Sequence, residues 1–129
     1  MNIQKYTSFF HDGSVINIFC KNHDIEILME SSELLPTWNV DNISLSKNQT
    51  IQGKLKLEGI KSILINDQPI VQLKMLYDDG EILRFRINEN KVDLLIKWMN
   101  YSSKDQKDCL EHIIIEADKI HWNNLPDLS

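Results

Sequence analysis

The sequence predicts a mainly β member of the α+β class, a curled antiparallel sheet of about seven strands packed by one amphipathic helix. Three observations predict it. Apolar and polar residues alternate in short runs between residues 14 and 87, turn-forming residues separate those runs, and near residue 90 the apolar period changes from 2 to 3.6. Consecutive hairpins followed by a late helix exclude the alternating strands and helices of a parallel sheet.

The first hairpin is expected over 14–31. Two runs rich in β-branched residues, 14–20 and 25–31, flank Lys21-Asn22-His23-Asp24, and in the second Ile25, Ile27 and Met29 oppose Glu26 and Glu30. Residues 32–49, with Pro36, Trp38 and several Asn and Ser, show no period and read as a long connection that lays Trp38 on the core. Connections of that length are often functional. A second hairpin is expected over 51–66, where Ile51, Gly53, Leu55 and Leu57 alternate with polar residues before Gly59 marks a bend into Ile60–Asn66.

Asn66-Asp67-Gln68-Pro69 is a turn by its side-chain chemistry. It leads to a third hairpin over 70–87, with Val71, Leu73, Met75 and Tyr77 on one arm, Leu83, Phe85 and Ile87 on the other, and Asp78-Asp79-Gly80 as a loop whose glycine supplies positive φ. The helix is expected near 90–101. There Val92, Leu95, Ile96 and Met99 stand at i, i+3, i+4 and i+7, Leu94 and Trp98 widen the stripe, Asn90 is a suitable N-cap, and Asp93 sits in the first turn. Residues 102–108 read as a polar loop. Beyond them Leu110, Ile113, Ile114 and Ala117 fit a helix, but three consecutive β-branched residues, Ile113–Ile115, favour a strand over 112–122.

At 129 residues the chain fits one domain, 1–129, which buries roughly two-thirds of its unfolded surface without metal or disulfide support. Its apolar and charged fractions, 42% and 26%, are those of a globular protein. The N-terminal residues lack an apolar signal core, and no window approaches the ~20 apolar residues of a membrane span. A cytoplasmic protein that does not enter a membrane is therefore expected, with Cys20 and Cys109 as unpaired thiols and the sequons at Asn42, Asn48 and Asn100 as chance matches. Heavy use of Ile, Asn and Lys, with Arg84 and Arg86 the only arginines, fits an AT-rich bacterial genome.

Catalytic signatures are sparse. His11-Asp12 and His23-Asp24 supply the residue types of a general base, which makes His11, with Asp12 or His23, the candidate catalytic pair of a small hydrolase or isomerase. Adjacent residues on a strand point to opposite faces, however, so neither pair is preformed, and His11 before Asp12-Gly13 also suits a turn. The four histidines lack metal-ligand spacing, and neither a glycine-rich phosphate loop nor a nucleophile elbow is present, so no metal and no cofactor are expected.

Charge is more informative. Between Ile51 and Ile87 six basic residues face five acidic ones, so this segment is net +1 while the whole chain is −5. Lys54, Lys56, Lys74, Arg84 and Arg86 occupy the predicted outward positions, and if their strands are neighbours they form a basic face for an anionic ligand or RNA. That face lacks the interleaved aromatics that stack bases, which argues against nucleic acid, and solvated lysines on a sheet face are also common and discourage aggregation. Acidic residues gather around the first hairpin (Asp24, Glu26, Glu30, Glu33) and near the C-terminus, a pattern that serves either to steer association with a basic protein or only to maintain solubility.

Phe9-Phe10-His11-Asp12-Gly13, Gly53-Lys54-Leu55, Gly80-Glu81-Ile82 and Ala117-Asp118-Lys119-Ile120-His121-Trp122 together resemble small uncharacterised bacterial β-rich domains, some of which are similar to immunity proteins of contact-dependent toxin systems. The resemblance implies a compact protein that acts by binding a protein partner, and it carries over no catalytic residue.

Overall fold

The computed structural model describes residues 2–35, 43–99 and 109–127. A 3₁₀ helix, Ile3–Phe10, precedes seven strands: β1 (Ser14–Lys21), β2 (Asp24–Glu30), β3 (Gln52–Ile65), β4 (Gln68–Pro69), β5 (Asp79–Asn88), β6 (Lys91–Met99) and β7 (Cys109–Asn124). All pairings are antiparallel, in the order β2-β1-β5-β6-β7-β3-β4, and β2 also pairs with β3. That extra pairing closes the sheet into a ring of six strands, with β4 a two-residue addition on β3. The curl expected from sequence has become full closure.

Closure leaves one narrow seam. β1 and β5 pair only at Ser14↔Glu81 and Val15↔Gly80, whereas β3 and β7 pair from Gly53↔Asn124 to Ile65↔Ile113. Side chains fill the interior: Ile27, Met29, Leu55, Leu57, Ile82, Leu94, Ile96, Trp98, Ile113 and Ile115 are all buried. Six strands enclose too little space for anything else. The 3₁₀ helix adds Phe10, whose ring meets Phe85 (5.2 Å) and Trp122 (5.6 Å) edge-on, a favoured aromatic geometry.

The hairpin 14–31 and the C-terminal strand form as expected, the latter longer at both ends. The helix near 90–101 does not form. Residues 91–99 are β6, in which Val92, Leu94, Ile96 and Trp98 are buried with period 2 while Asp93, Leu95, Lys97 and Met99 are only half-buried. Leu94-Leu95-Ile96 satisfies both periods, and pairing with β5 on one side and β7 on the other decides between them. Asn90 is accordingly a turn residue after Glu89 (φ 55°), and its carbonyl accepts from the Ala117 N–H.

Two hairpins also change form. The 51–66 segment is one strand, bent by a bulge between Ile60 and Ser62, with Gly59 at φ 67° where a bend was expected. The 70–87 segment is not a hairpin, because β5 turns back into β6 and not into residues 71–77. From Leu73 on, those residues keep their alternation in burial, Leu73 being buried and Met75 and Tyr77 packing on the core, whereas Val71, expected on the same side, is wholly exposed. Alternation reports which side chains find the core, and a ladder is a separate matter. A bulge between Ile82 and Arg84 shifts the phase of β5, so Ile82 and Phe85 fill the core and Leu83 is half-buried.

Asp78-Asp79-Gly80 is therefore not a hairpin loop, and Gly80 is needed for space. A Cβ on it would lie 2.7 Å from the Trp98 ring. Of the long connection, residues 43–51 are held to the barrel by side chains. Thr50 Oγ1 donates to Glu30 Oε2 (2.8 Å), Ser46 Oγ lies 2.6 Å from Thr50 Oγ1, and Ser31 Oγ accepts from the Ile51 N–H. Trp38 and the 102–108 loop lie outside the described residues.

Leu94→Ala should cost about 2–5 kcal/mol in urea denaturation and Leu95→Ala about 1 kcal/mol or less, because only Leu94 lies in the barrel interior. The reverse order would restore the helix. Gly80→Ala should cost about 1–3 kcal/mol by overpacking against Trp98.

Candidate functional site

With the interior filled, binding chemistry is left to the outer surface. The five basic candidates do not form one face. Lys54 and Lys56 stand on β3, Arg84 and Arg86 on β5, and β6 and β7 intervene along the sheet, while Lys74 lies in the unladdered 70–78 segment. The condition that these strands be neighbours is not met.

Each group has its own surroundings. Glu26 of β2 lies 3.5 Å from Lys54 Nζ and 3.8 Å from Lys56 Nζ, and Lys54 Nζ is 5.7 Å from the centroid of Phe19 on β1. On the other side, Asp93 Oδ1 accepts from Arg84 Nη2 (3.2 Å) and from His112 Nε2 (2.9 Å), which pins the Arg84 side chain across β5, β6 and β7. Arg84 Nε, shut off from solvent, has no hydrogen-bond partner. Arg86 is exposed, with no ion pair among the described residues.

His11 follows the 3₁₀ helix, and Asp12 takes φ 68° so that its N–H donates to the Ile82 carbonyl. His11 Nδ1 lies 3.3 Å from Asp12 Oδ2, with the two side chains 64% and 63% exposed. The pair closes a turn in water, and His11 alone of the two also lines an open cleft of about 430 Å³ between the 3₁₀ helix and β5, together with Thr7, Ser8, Arg84, Arg86 and Leu95 among others. The sequence named His11, Arg84 and Arg86 for different reasons; the fold brings these three together. His23 and Asp24 do not make a second pair of this kind, since Asp24 Oδ1 accepts from the Gly59 N–H and the His23 carbonyl from the Ile60 N–H.

A second depression, about 460 Å³, lies on the outer face of the first hairpin and is bordered by Phe19, Lys21, Asn22, Asp24, Glu26 and Lys54. Phe19 is 48% exposed. Sequence reading passed over it, although in Ile18-Phe19-Cys20 the large ring stands at the outward position between two inward ones, which is the available signal. The acidic residues of this hairpin are largely engaged within the fold: Glu26 with two lysines, Glu30 with Thr50, Asp24 with Gly59.

Cys20 and Cys109 are free thiols, and Cys20 Sγ donates to the Leu73 carbonyl at 2.9 Å. Among the described residues no three His, Cys, Asp or Glu side chains converge, and no helix is long and apolar enough to cross a membrane. Comparison with protein-family models, curated proteins and solved structures finds no match to this chain.

Glu26→Gln should lower stability by no more than about 1 kcal/mol in urea denaturation, and by less at high salt, because its two lysines are solvent-accessible partners. A loss of several kcal/mol would mean that these charges are functionally buried.

Proposed function

We propose that the chain is a non-enzymatic, immunity-like domain of the bacterial cytoplasm that binds a protein partner through the depression beside Phe19. The observation that carries this reading is a large aromatic ring held half-exposed on a strand of a closed barrel. An exposed phenyl ring gains from being covered, and aromatic side chains supply much of the energy at protein interfaces. The ammonium of Lys54 over the ring and the two-strand backing reduce the entropy that Phe19 loses on contact.

The occupant is a protein segment that places an apolar side chain against Phe19. The border carries both signs, Lys21 and Lys54 with Asp24 and Glu26, so it sets the orientation of that segment and disfavours a uniformly charged partner such as nucleic acid. The chain's net charge of −5 favours encounter with basic proteins. A catalytic reading centred on His11 gains less, because its imidazole and carboxylate stand in solvent and no shielded nucleophile adjoins them.

Affinity purification from producing cells should recover one stoichiometric protein with the parent chain. Phe19→Ala should lose it through a drop in affinity of at least about tenfold. Leu110→Ala, which removes an exposed leucine on β7, should retain it. Equal recovery by all three chains would contradict this surface, and recovery of a nucleic acid alone would contradict the reading.

A further inference from the structure

The cleft between the 3₁₀ helix and β5 belongs to a different part of the surface from Phe19, and its chemistry is of another kind. Its polar walls carry donors: the guanidinium groups of Arg84 and Arg86, the imidazole of His11 and the hydroxyls of Thr7 and Ser8. No acidic residue lines it. On a protein of net charge −5, Arg84, whose charge is shared with Asp93 behind it, and Arg86 make this cleft locally basic. They are also the only two arginines in the chain.

The donors differ in how far they are already committed. Arg84 is held by Asp93 through Nη2, which fixes the fork before any ligand arrives, and its Nε has no acceptor. Arg86 has its whole fork free of ion pairs among the described residues. Thr7 Oγ1 makes a long bond to the Gln4 carbonyl, 3.4 Å, that is readily exchanged. Asp12 engages Nδ1 of His11, which leaves Nε2 for another partner.

The remaining walls are apolar. Leu83, displaced by the β5 bulge, and Leu95 of β6 are both half-buried and both line the cleft. At about 430 Å³ it is larger than a bare phosphate requires and lies within the range of small-molecule sites. We propose that this cleft binds a phosphate monoester of a small molecule. The phosphoryl oxygens are taken by Arg84, Arg86 and the hydroxyls of Thr7 and Ser8, and the organic part rests on Leu83 and Leu95. Bidentate arginine forks suit that tetrahedral dianion, and the adjoining leucines account for an ester in preference to the free ion. The site is independent of the protein-binding reading, since the two surfaces share no lining residue.

Phenyl phosphate and inorganic phosphate, titrated separately into the ¹⁵N-labelled full chain, test the proposal. Phenyl phosphate should shift amides of residues 7–11 and 83–86 saturably and bind more tightly than inorganic phosphate. Arg86→Gln should weaken it by at least about tenfold. Arg86→Lys should restore only part of the loss, because an ammonium lacks the fork. Lys119→Gln, which removes an exposed charge on β7, should leave affinity unchanged. Arg86 is exposed, so its variants should fold, as far-UV circular dichroism would verify. Absence of saturable shifts, shifts scattered over the lysine-bearing strands, or equal weakening by Lys119→Gln would overturn the site. Equal affinity for the two probes would overturn the ester and leave free phosphate as the ligand.

Discussion

Trp98, Gly80 and Val15 form the contact on which the barrel depends. Gly80 pairs with Val15 on one side and with Trp98 on the other, so the only seam between β1 and β5 passes through a residue with no side chain. The Trp98 indole occupies the space that a Cβ would take, and its Nε1 donates to Glu111 of β7 at 2.7 Å. One fully buried side chain thereby joins β5, β6 and β7 at the point where β1 completes the ring. Burying an indole is strongly favourable only when its N–H is satisfied, and Glu111 meets that condition.

Closure has consequences for function. A ring of six strands removes most of the sheet edges that would otherwise recruit other chains, and it fills its own interior. Specific contact must then come from the outer face. The bulge in β5 displaces Leu83 toward the 3₁₀ helix, and the β1–β2 hairpin holds Phe19 outward. Each candidate surface includes one of the two strands that form the seam, β5 for the cleft and β1 for the Phe19 depression.

Much of the fold was legible because period-2 alternation is a direct imprint of one buried and one wet face. Ile25, Ile27 and Met29, or Leu55 and Leu57, allow no other reading. Residues 91–99 were ambiguous in the chemistry itself: three successive apolar residues at 94–96 serve a helix stripe as well as a strand face, and only the partners on β5 and β7 discriminate. The unladdered 70–78 segment failed in another way, its alternation from Leu73 on being genuine but unaccompanied by strand pairing. Of the sites, His11, Arg84 and Arg86 could be named by residue type, yet their meeting in one cleft depends on a bulge and a 3₁₀ helix that leave no mark in hydrophobic period. The separation of Lys54 and Lys56 from Arg84 and Arg86 required strand order, which local sequence does not encode.

The central claim is that the sheet is closed, and inter-strand nuclear Overhauser effects measure it directly. Cross-peaks between backbone protons of Val15 and Gly80 should accompany those between Ile27 and Leu55 and between Gly80 and Trp98. Loss of the Val15–Gly80 contacts, with the other two sets intact, would describe an open curled sheet and contradict the barrel.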